Sequence, residues 1–181
     1  IIEGVKIEYI KDQSLIIVSK GKITKIDINV EMNSDLIEYN IKDGKINFTN
    51  EVRINDKKNN FIISSDKIIY DINKQKIFGE GNIKMKDEFD NTYKLNEFEY
   101  STLDKVIKLT NVKMLDKNEN TFDLEIAFLD LNKKEIVAKD IGLNFKLSEN
   151  SENEPRLKGR SLISDDKNTI IKKGTFTFCK K

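Results

Sequence analysis

Residues 61–85 read FIISSDKIIYDINKQKIFGEGNIKM, and this stretch decides the fold. Apolar and polar side chains alternate on both sides of a short polar segment. A period of two is typical of β-strands, so the stretch predicts two strands joined by a turn, with one apolar face. That face is predicted to hold Ile68, Tyr70, Ile77, Ile83 and Met85. Lys67, Lys76 and Lys84 lie opposite or at its margins.

The same hairpin recurs along the chain. In each copy a tyrosine or leucine is followed seven residues later by isoleucine. The pairs are Tyr9 and Ile16, Tyr39 and Ile46, Tyr70 and Ile77, Tyr100 and Ile107, and Leu129 and Ile136. Successive copies are 30, 31, 30 and 29 residues apart, a regularity typical of one supersecondary unit stacked on copies of itself. We therefore expect a repeat array over residues 1–147.

Composition narrows the class of protein. Hydrophobic residues make up 38% and charged residues 35% of the 181 residues, which is too apolar for a disordered chain. The net charge of +1 argues against a nucleic-acid partner, which would require a strongly basic face. No apolar run approaches the length of a membrane-spanning helix. No basic leader precedes the extended-looking segment at Ile1, so we expect a processed or excised chain.

Local patterns predict where the strands bend. Gly79 and Gly81 interrupt a strand pattern, which indicates a bend or bulge. In the fourth and fifth units the apolar parity slips by one residue, which predicts β-bulges at Thr110–Asn111 and Lys139–Asp140. Equivalent bends at equivalent places would curve the sheet.

The end of the chain departs from the repeat. We expect a polar loop at 148–156, which holds the only proline, and a last hairpin at 157–181. Helical signals are close to absent, and about ten to twelve strands of ordinary length fit the chain. The sequence thus predicts one all-β domain, 1–181, with an antiparallel sandwich or jelly roll architecture.

The residues favour no catalytic chemistry. There is no histidine, so the usual serine or cysteine triads and histidine zinc sites cannot be built. Asp43, Asp71, Asp104 and Asp116 fall on predicted turns, where aspartate accepts backbone hydrogen bonds. We therefore expect no enzyme, no cofactor and no metal, although a glycosidase pair of carboxylates stays open as a disfavoured alternative.

The inward apolar positions of the third and fourth units define a predicted inner face. Its residues are Ile68, Tyr70, Ile77, Ile83, Met85, Phe98, Tyr100, Ile107, Leu109, Val112 and Met114. Core packing explains any one of them. Together they form a continuous apolar face on a curved sheet, which could leave an elongated slot suited to acyl chains.

The stretches SDKIIYD at 65–71 and KIFGEGNIKM at 76–85 resemble the OstA-like repeat of the lipopolysaccharide transport proteins of Gram-negative bacteria. The matching positions are Asp66, Ile68, Tyr70, Asp71, Ile77, Gly81, Asn82 and Ile83. The other units match by periodicity alone. The resemblance implies a slightly open, twisted β-jellyroll whose inner face binds lipid A.

The tail KGRSLISDDKNTIIKKGTFTFCKK at 158–181 resembles the end of the periplasmic domain of the LptD (organic solvent tolerance protein) family, through Gly174, Phe176, Thr177 and Cys179. That resemblance implies a periplasmic domain of an outer-membrane protein that receives lipopolysaccharide from the bridge protein LptA. It also implies a following outer-membrane barrel and the lipoprotein LptE as partners. Since Cys179 is the only cysteine, we expect it to form a disulfide with a thiol of that barrel; a small buried hydrophobe is the alternative.

The first strands are the predicted partner edge. An unpaired row of N–H and C=O groups is a template for strand addition, so by family analogy LptA would pair there. The residues of this edge are Val5, Ile7, Tyr9, Ile16 and Val18. Alternatives from other classes are a free-standing LptA-like bridge protein, which should lack the FTFC tail, and a structural or adhesive β-repeat domain, which needs no slot.

Overall fold

The structure is a computed structural model that describes residues 1–26, 29–146, 155–165 and 167–178. It is an all-β structure, as predicted, apart from short 3₁₀ turns such as the one at Lys11–Gln13. The strands are β1 (Ile2–Glu3), β2 (Lys6–Ile10), β3 (Leu15–Lys25), β4 (Val30–Asn40), β5 (Lys45–Asp56), β6 (Phe61–Asp71), β7 (Lys76–Lys86), β8 (Thr92–Ser101), β9 (Val106–Leu115), β10 (Thr121–Asp130), β11 (Glu135–Asn144), β12 (Arg156–Ser164), β13 (Thr169–Lys172) and β14 (Thr175–Thr177). No helix in these residues is long and apolar enough to cross a membrane.

All fourteen strands belong to one antiparallel sheet that follows chain order. Both edges of this sheet are interrupted strands. β1 and β2 pair with successive parts of β3, and β13 and β14 pair with successive parts of β12. The described residues therefore form more strands than the ten to twelve expected, because the short edge strands add to the long strands of the array.

The predicted end of the chain is described in part. Residues 148–154 of the expected polar loop lie outside the described residues, and β12 already begins at Arg156. The carboxylate of Asp165 accepts hydrogen bonds from the backbone N–H groups of Lys167 and Asn168, so the last hairpin turns where it was expected. Cys179 lies outside the described residues, and its disulfide stays a prediction.

Among the long strands β3–β11, all but β5 and β7 change their buried parity near the middle. In β9, Ile107 and Leu109 are buried before this point, and Val112 and Met114 after it. The left-handed residues of the odd-numbered strands stand at this level, and they are Lys20, Asn50, Glu51, Gly81, Asn82, Asn111 and Asp140. These positions form a line of kinks across the sheet.

The predicted bulges at Thr110–Asn111 and Lys139–Asp140 are wrong, although the parity change is real. The pairing of β9 and β11 with their neighbours keeps one register through both positions. The register shifts lie instead around β5 and β7, where Asn50–Glu51 and Gly81–Asn82 place two consecutive left-handed residues at the kink. The bend expected at Gly81 is therefore a bulge.

The kinks divide the sheet into two halves that face each other. We call the half next to the turns at 41–44, 72–75, 102–105 and 131–134 the lower half, and the half next to the turns at 57–60, 87–91 and 116–120 the upper half. Phe61 of the upper half meets Tyr100 of the lower half edge to face, with ring centroids 5.6 Å apart. One continuous apolar core lies between the halves.

The lower turns stack directly on one another. The backbone N–H of Ile72 donates to the carbonyl of Gly44 at 2.9 Å, and that of Leu131 donates to the carbonyl of Lys105 at 2.9 Å. Ile41 and Thr102 make the equivalent bonds to Ser14 and Gln75. This ladder keeps the units in one orientation, so equivalent residues of successive units line the same side of the core.

Candidate functional site

A cavity of about 290 Å³ opens between the two halves of the sheet, toward the last strands of the array. Its apolar lining is contributed by β6, β7, β9, β10, β11, β12 and the turn after β10. The residues are Phe61, Met85, Ile107, Met114, Phe122, Leu124, Leu129, Leu131, Ile136 and Leu162. Because both halves contribute to the lining, the cavity lies between the two facing halves of the sheet.

All eleven residues of the predicted inner face are buried in the core. Met85, Ile107 and Met114 also line the cavity. The other eight are packed between the halves, and they are Ile68, Tyr70, Ile77, Ile83, Phe98, Tyr100, Leu109 and Val112. The apolar face is therefore filled by its own side chains over much of its length and open at the cavity. Contact of these residues with lipid stays a prediction.

Sequence reasoning missed most of the cavity lining. The predicted inner face lacked Phe61, Phe122, Leu124, Leu129, Leu131, Ile136 and Leu162. A signal for two of them was present, because Leu129 and Ile136 occupy the same phase of the repeat as Tyr100 and Ile107.

Charged side chains surround the mouth of the cavity. Three are lysines: Lys58, Lys117 and Lys134. Six are carboxylates: Asp87, Glu88, Asp116, Asp130, Glu135 and Asp165. The four aspartates all accept hydrogen bonds from backbone N–H groups of their own turns.

At two of these aspartates, the turn hydrogen bonds lower the pKa of the carboxyl group. The backbone N–H of Lys133 holds the pKa of Asp130 below its usual value, and the backbone N–H of Lys167 does the same for Asp165. The turn roles expected for Asp71 and Asp116 are present, while Asp104 instead accepts a hydrogen bond from the Ser101 hydroxyl. At the turn that contains Asp43, the capping residue is Asn40 instead. The side-chain oxygen of Asn40 accepts a hydrogen bond from the backbone N–H of Asp43.

Among the described residues, three polar contacts join the two halves where their turns approach each other, along a line that we call the seam. Lys25 Nζ donates to the Tyr70 hydroxyl at 2.9 Å, which is the first seam contact. The Tyr100 hydroxyl donates to Asp56 Oδ2 at 3.3 Å, the second. Lys134 Nζ donates to Glu88 Oε2 at 3.0 Å, the third. The partners are separated by 45, 44 and 46 residues, so the three contacts repeat with the array.

Two buried tyrosines are tied to aspartates at the ends of upper strands. Burial, together with the Asp56 carboxylate, raises the pKa of Tyr100. Burial and the Asp87 carboxylate, which accepts a hydrogen bond from the Tyr93 hydroxyl at 2.6 Å, raise the pKa of Tyr93. Both tyrosines therefore act as neutral donors at neutral pH.

The apolar face reaches the surface at the first edge of the sheet. Val5, Ile7 and Tyr9 are 81%, 54% and 58% exposed, on or beside β2, and β2 pairs with β3 alone. Ile16 and Val18, the other residues of the predicted partner edge, lie one strand further in, because β3 is paired with β2 and β4. Val18 is buried. The unpaired backbone groups at this edge thus belong to β2 and, further along β3, to β1.

The opposite edge also exposes apolar groups. Phe176 of β14 and Phe178 are about half exposed and contact each other edge to face, with ring centroids 4.9 Å apart. The ring centroids of Phe145 and Phe176 are 6.4 Å apart. Within the described residues there is no cluster of histidine, cysteine or carboxylate groups that could hold a metal ion. The arrangement is that of an apolar slot with two open sheet edges.

Of the comparisons with known proteins, the one with solved structures bears on the architecture. No protein-family model and no curated protein matches the chain in sequence. Among solved structures, the chain is similar to LptH, the LptA-homologous periplasmic component of the lipopolysaccharide transport device from Pseudomonas aeruginosa. The TM-score is 0.52 at 11% identity, and the match covers 59% of this chain and 78% of LptH. The chain therefore shares the fold of this periplasmic transport component.

Proposed function

We propose that the chain transports lipopolysaccharide in the periplasm by holding lipid A acyl chains between the two halves of its sheet. The observation that carries the proposal is the apolar cavity of about 290 Å³, which continues into an apolar core that both halves share. The shared fold with LptH supports it.

The lining suits transport because its contacts are non-directional. Each buried methylene contributes about 0.8 kcal/mol, so several acyl chains together would bind tightly. The apolar side chains of the lining offer no directional contact that would hold an acyl chain at one position, so the acyl chain could slide between layers of these side chains. The function is binding and transfer, with no reaction performed on the lipid.

The size of the cavity sets a condition on binding. Ligand pockets commonly measure about 300–1,000 Å³, and the cavity of about 290 Å³ lies just below that range. A lipid with many acyl chains therefore requires the halves to move apart. Lys58 and Lys117 at the mouth would meet the phosphates of its head group.

Two placements of the chain in the transport machinery follow. The fold of LptH, an LptA homologue, favours a free-standing bridge protein. The tail residues Gly174, Phe176 and Thr177 favour a periplasmic domain of an LptD-type outer-membrane protein, with LptA and LptE as partners. Fractionation of cells that express the full-length protein separates them: a bridge protein is recovered with soluble periplasmic proteins, and an LptD-type protein with the outer membrane.

In either placement, β2 is the proposed site of strand addition by the neighbouring LptA-type subunit. Its outer backbone groups are unpaired within the described residues. Photo-crosslinkers at Lys6 and Glu8 should capture that subunit. Capture only from β13 or β14 would reverse the orientation.

Photo-crosslinking in cells tests the transport function. Ile107 and Met114 of β9 line the cavity, and Lys108 and Lys113 of the same strand are exposed on the other face. Photoreactive residues at 107 and 114 should capture lipopolysaccharide, whereas those at 108 and 113 should not. Equal capture by both pairs, or capture by neither, would mean that the apolar face is only a packed core.

A further inference from the structure

The three seam contacts differ in how firmly they hold the halves together. The first two use tyrosine hydroxyls that are partly or fully withdrawn from water. The third joins two charged side chains at the surface, and the side chains of Lys134 and Glu88 are 56% and 27% exposed. Exposed ion pairs are weak because water and salt screen them. The seam is therefore weakest at its third contact.

The third contact is also the one that stands at the cavity. Glu88 and Lys134 both line the mouth, and they come from opposite halves of the sheet. Phe89, which lines the mouth as well, lies beside them, with Lys134 Nζ 6.0 Å from its ring centroid. An acyl chain that passes between the upper turn at 87–91 and the lower turn at 131–134 has to separate this pair.

We propose that the Glu88–Lys134 ion pair is a latch that opens when an acyl chain enters the slot sideways through the seam. This inference rests on the proposed function, since it assumes that acyl chains occupy the cavity. The latch sets the rate of uptake, and the first two seam contacts keep the rest of the seam closed meanwhile. Opening therefore proceeds from the cavity toward the amino-terminal strands.

The chain supplies a matched control for the latch. Lys133 is adjacent to Lys134 on the same turn, but its Nζ lies 3.3 Å from Asp130 of the same half and does not cross the seam. The variants are Lys134→Gln, Glu88→Gln, the double exchange of Glu88→Lys with Lys134→Glu, and Lys133→Gln as the control. All the changed positions are at the surface, so folding should be preserved; circular dichroism checks it.

The readout is stopped-flow uptake of a dansylated fatty acid, which supplies one acyl chain. Lys134→Gln and Glu88→Gln should each raise the uptake rate by about 1.5- to 5-fold, which corresponds to an exposed ion pair of about 0.2–1 kcal/mol. The double exchange should restore the native rate, and Lys133→Gln should leave it unchanged. High salt should accelerate native uptake but not that of Lys134→Gln.

Three results would overturn the latch. Equal rates for Lys133→Gln and Lys134→Gln would show that the ion pair is not limiting. Slower uptake by Lys134→Gln would show that Lys134 attracts the anionic head of the probe instead. A cleavable bismaleimide that joins Glu88→Cys to Lys134→Cys, in a Cys179→Ser background, should block uptake until it is cleaved; uptake by the linked protein also overturns the latch.

The same variants separate this inference from the proposed function. Titration with fluorescently labelled lipopolysaccharide reports whether the slot takes that lipid at all. Binding of the fatty acid without binding of lipopolysaccharide would refute the proposed function and leave the latch supported by the fatty-acid rates. Binding of both lipids at rates that ignore the latch variants would refute the latch alone.

Discussion

Gly79 leaves room for an aromatic ring on the neighbouring strand. It is paired with Phe98 across β7 and β8, and a Cβ atom at position 79 would overlap the Phe98 ring. A glycine covered by a cross-strand aromatic is a known stabilising pair in sheets. The substitution Gly79→Ala should therefore destabilise the fold by about 1–3 kcal/mol, the usual cost of overpacking a core.

Gly142 provides the control for this change. A Cβ atom there would lie 3.6 Å from the Asp123 Cβ, an ordinary contact. Gly142→Ala should change the free energy of unfolding by about 0.5 kcal/mol or less. Chemical denaturation of both variants measures the difference, and equal stabilities would contradict the packing role of Gly79.

The buried tyrosines predict how stability changes at alkaline pH. Burial raises the pKa values of Tyr93 and Tyr100, each beside an aspartate, above the value of about 10 for an unfolded chain. The folded state then holds these protons more tightly than the unfolded state. Their contribution is complete below about pH 10 and is lost as the pH rises further. The melting temperature should therefore fall as the pH is raised above about 10.

Substitution by phenylalanine removes the ionisable hydroxyl and isolates this effect. Tyr93→Phe and Tyr100→Phe should each show a shallower alkaline decline than the native chain. Tyr9→Phe, at an exposed position, should show the native decline. If all three variants decline alike, other groups, such as the numerous lysines, cause the alkaline loss.

The residue scale was the one that sequence reasoning described best. Aspartate at a turn offers an acceptor to nearby backbone N–H groups, which correctly indicated the roles of Asp71 and Asp116. Which neighbour caps a given turn was not predictable, as Asn40 shows, because Asn and Asp satisfy the same rule. Tyrosine–aspartate pairs such as Tyr100 and Asp56, 44 residues apart, depend on the fold-over of the sheet.

At the scale of the strands, the kinks are the feature that divides the sheet into two facing halves. Asn111 has a φ of 52° in the middle of β9 and its side chain is exposed. Asparagine tolerates the left-handed region, whereas a β-branched residue does not. Asn111→Val should therefore cost about 1–2 kcal/mol, while Asn111→Gly should be close to neutral. Denaturant unfolding of these variants measures the difference.

Lys113→Val is the control for the kink, because Lys113 is an exposed residue of the same strand without a positive φ. Its stability should stay within about 0.5 kcal/mol of the native value. A loss from Lys113→Val as large as that from Asn111→Val would mean that the loss reflects the exposed valine and not the kink.

The kinks were only partly predictable from sequence. A parity slip is visible wherever the buried positions jump by three residues, as from Leu109 to Val112. In β7 the bulge adds one more residue, so Gly79 and Ile83 keep the same parity. The inserted residue hides the kink from a period-two analysis, because it restores the parity after the kink. The sequence therefore assigned Ile83 and Met85 to the face that is buried in the structure. The sequence pattern thus assigned bulges to the unbulged strands.

At the scale of the whole molecule, the repeat predicted the all-β array but not the state of the slot. A strand shows the same alternation of apolar residues whether its apolar face contacts lipid or packs against the other half of the sheet. Only the fold-over shows that Ile68 and Tyr70 are packed while Met114 borders a cavity. The lining of the cavity includes Leu124, Leu129 and Leu162, so the cavity lies toward the fifth unit and the last hairpin. The inner face was predicted from the period-two pattern of units three and four, which does not contain these residues.

This difference between the closed and open parts predicts an order of labelling along the slot. Small diazirine amino acids at Met114 and Leu124, which line the cavity, should capture lipopolysaccharide at the shortest irradiation delays after mixing. The same groups at Ile68 and Ile77, which are packed between the halves, should capture it later, because the halves must first separate there. Outward Lys84 and Lys113 should stay unlabelled throughout. Circular dichroism confirms that each variant is folded. Simultaneous labelling of Ile68 and Met114 from the earliest delay would mean that the two halves separate along their whole length at once, and a reversed order would place the point of uptake at the amino-terminal edge.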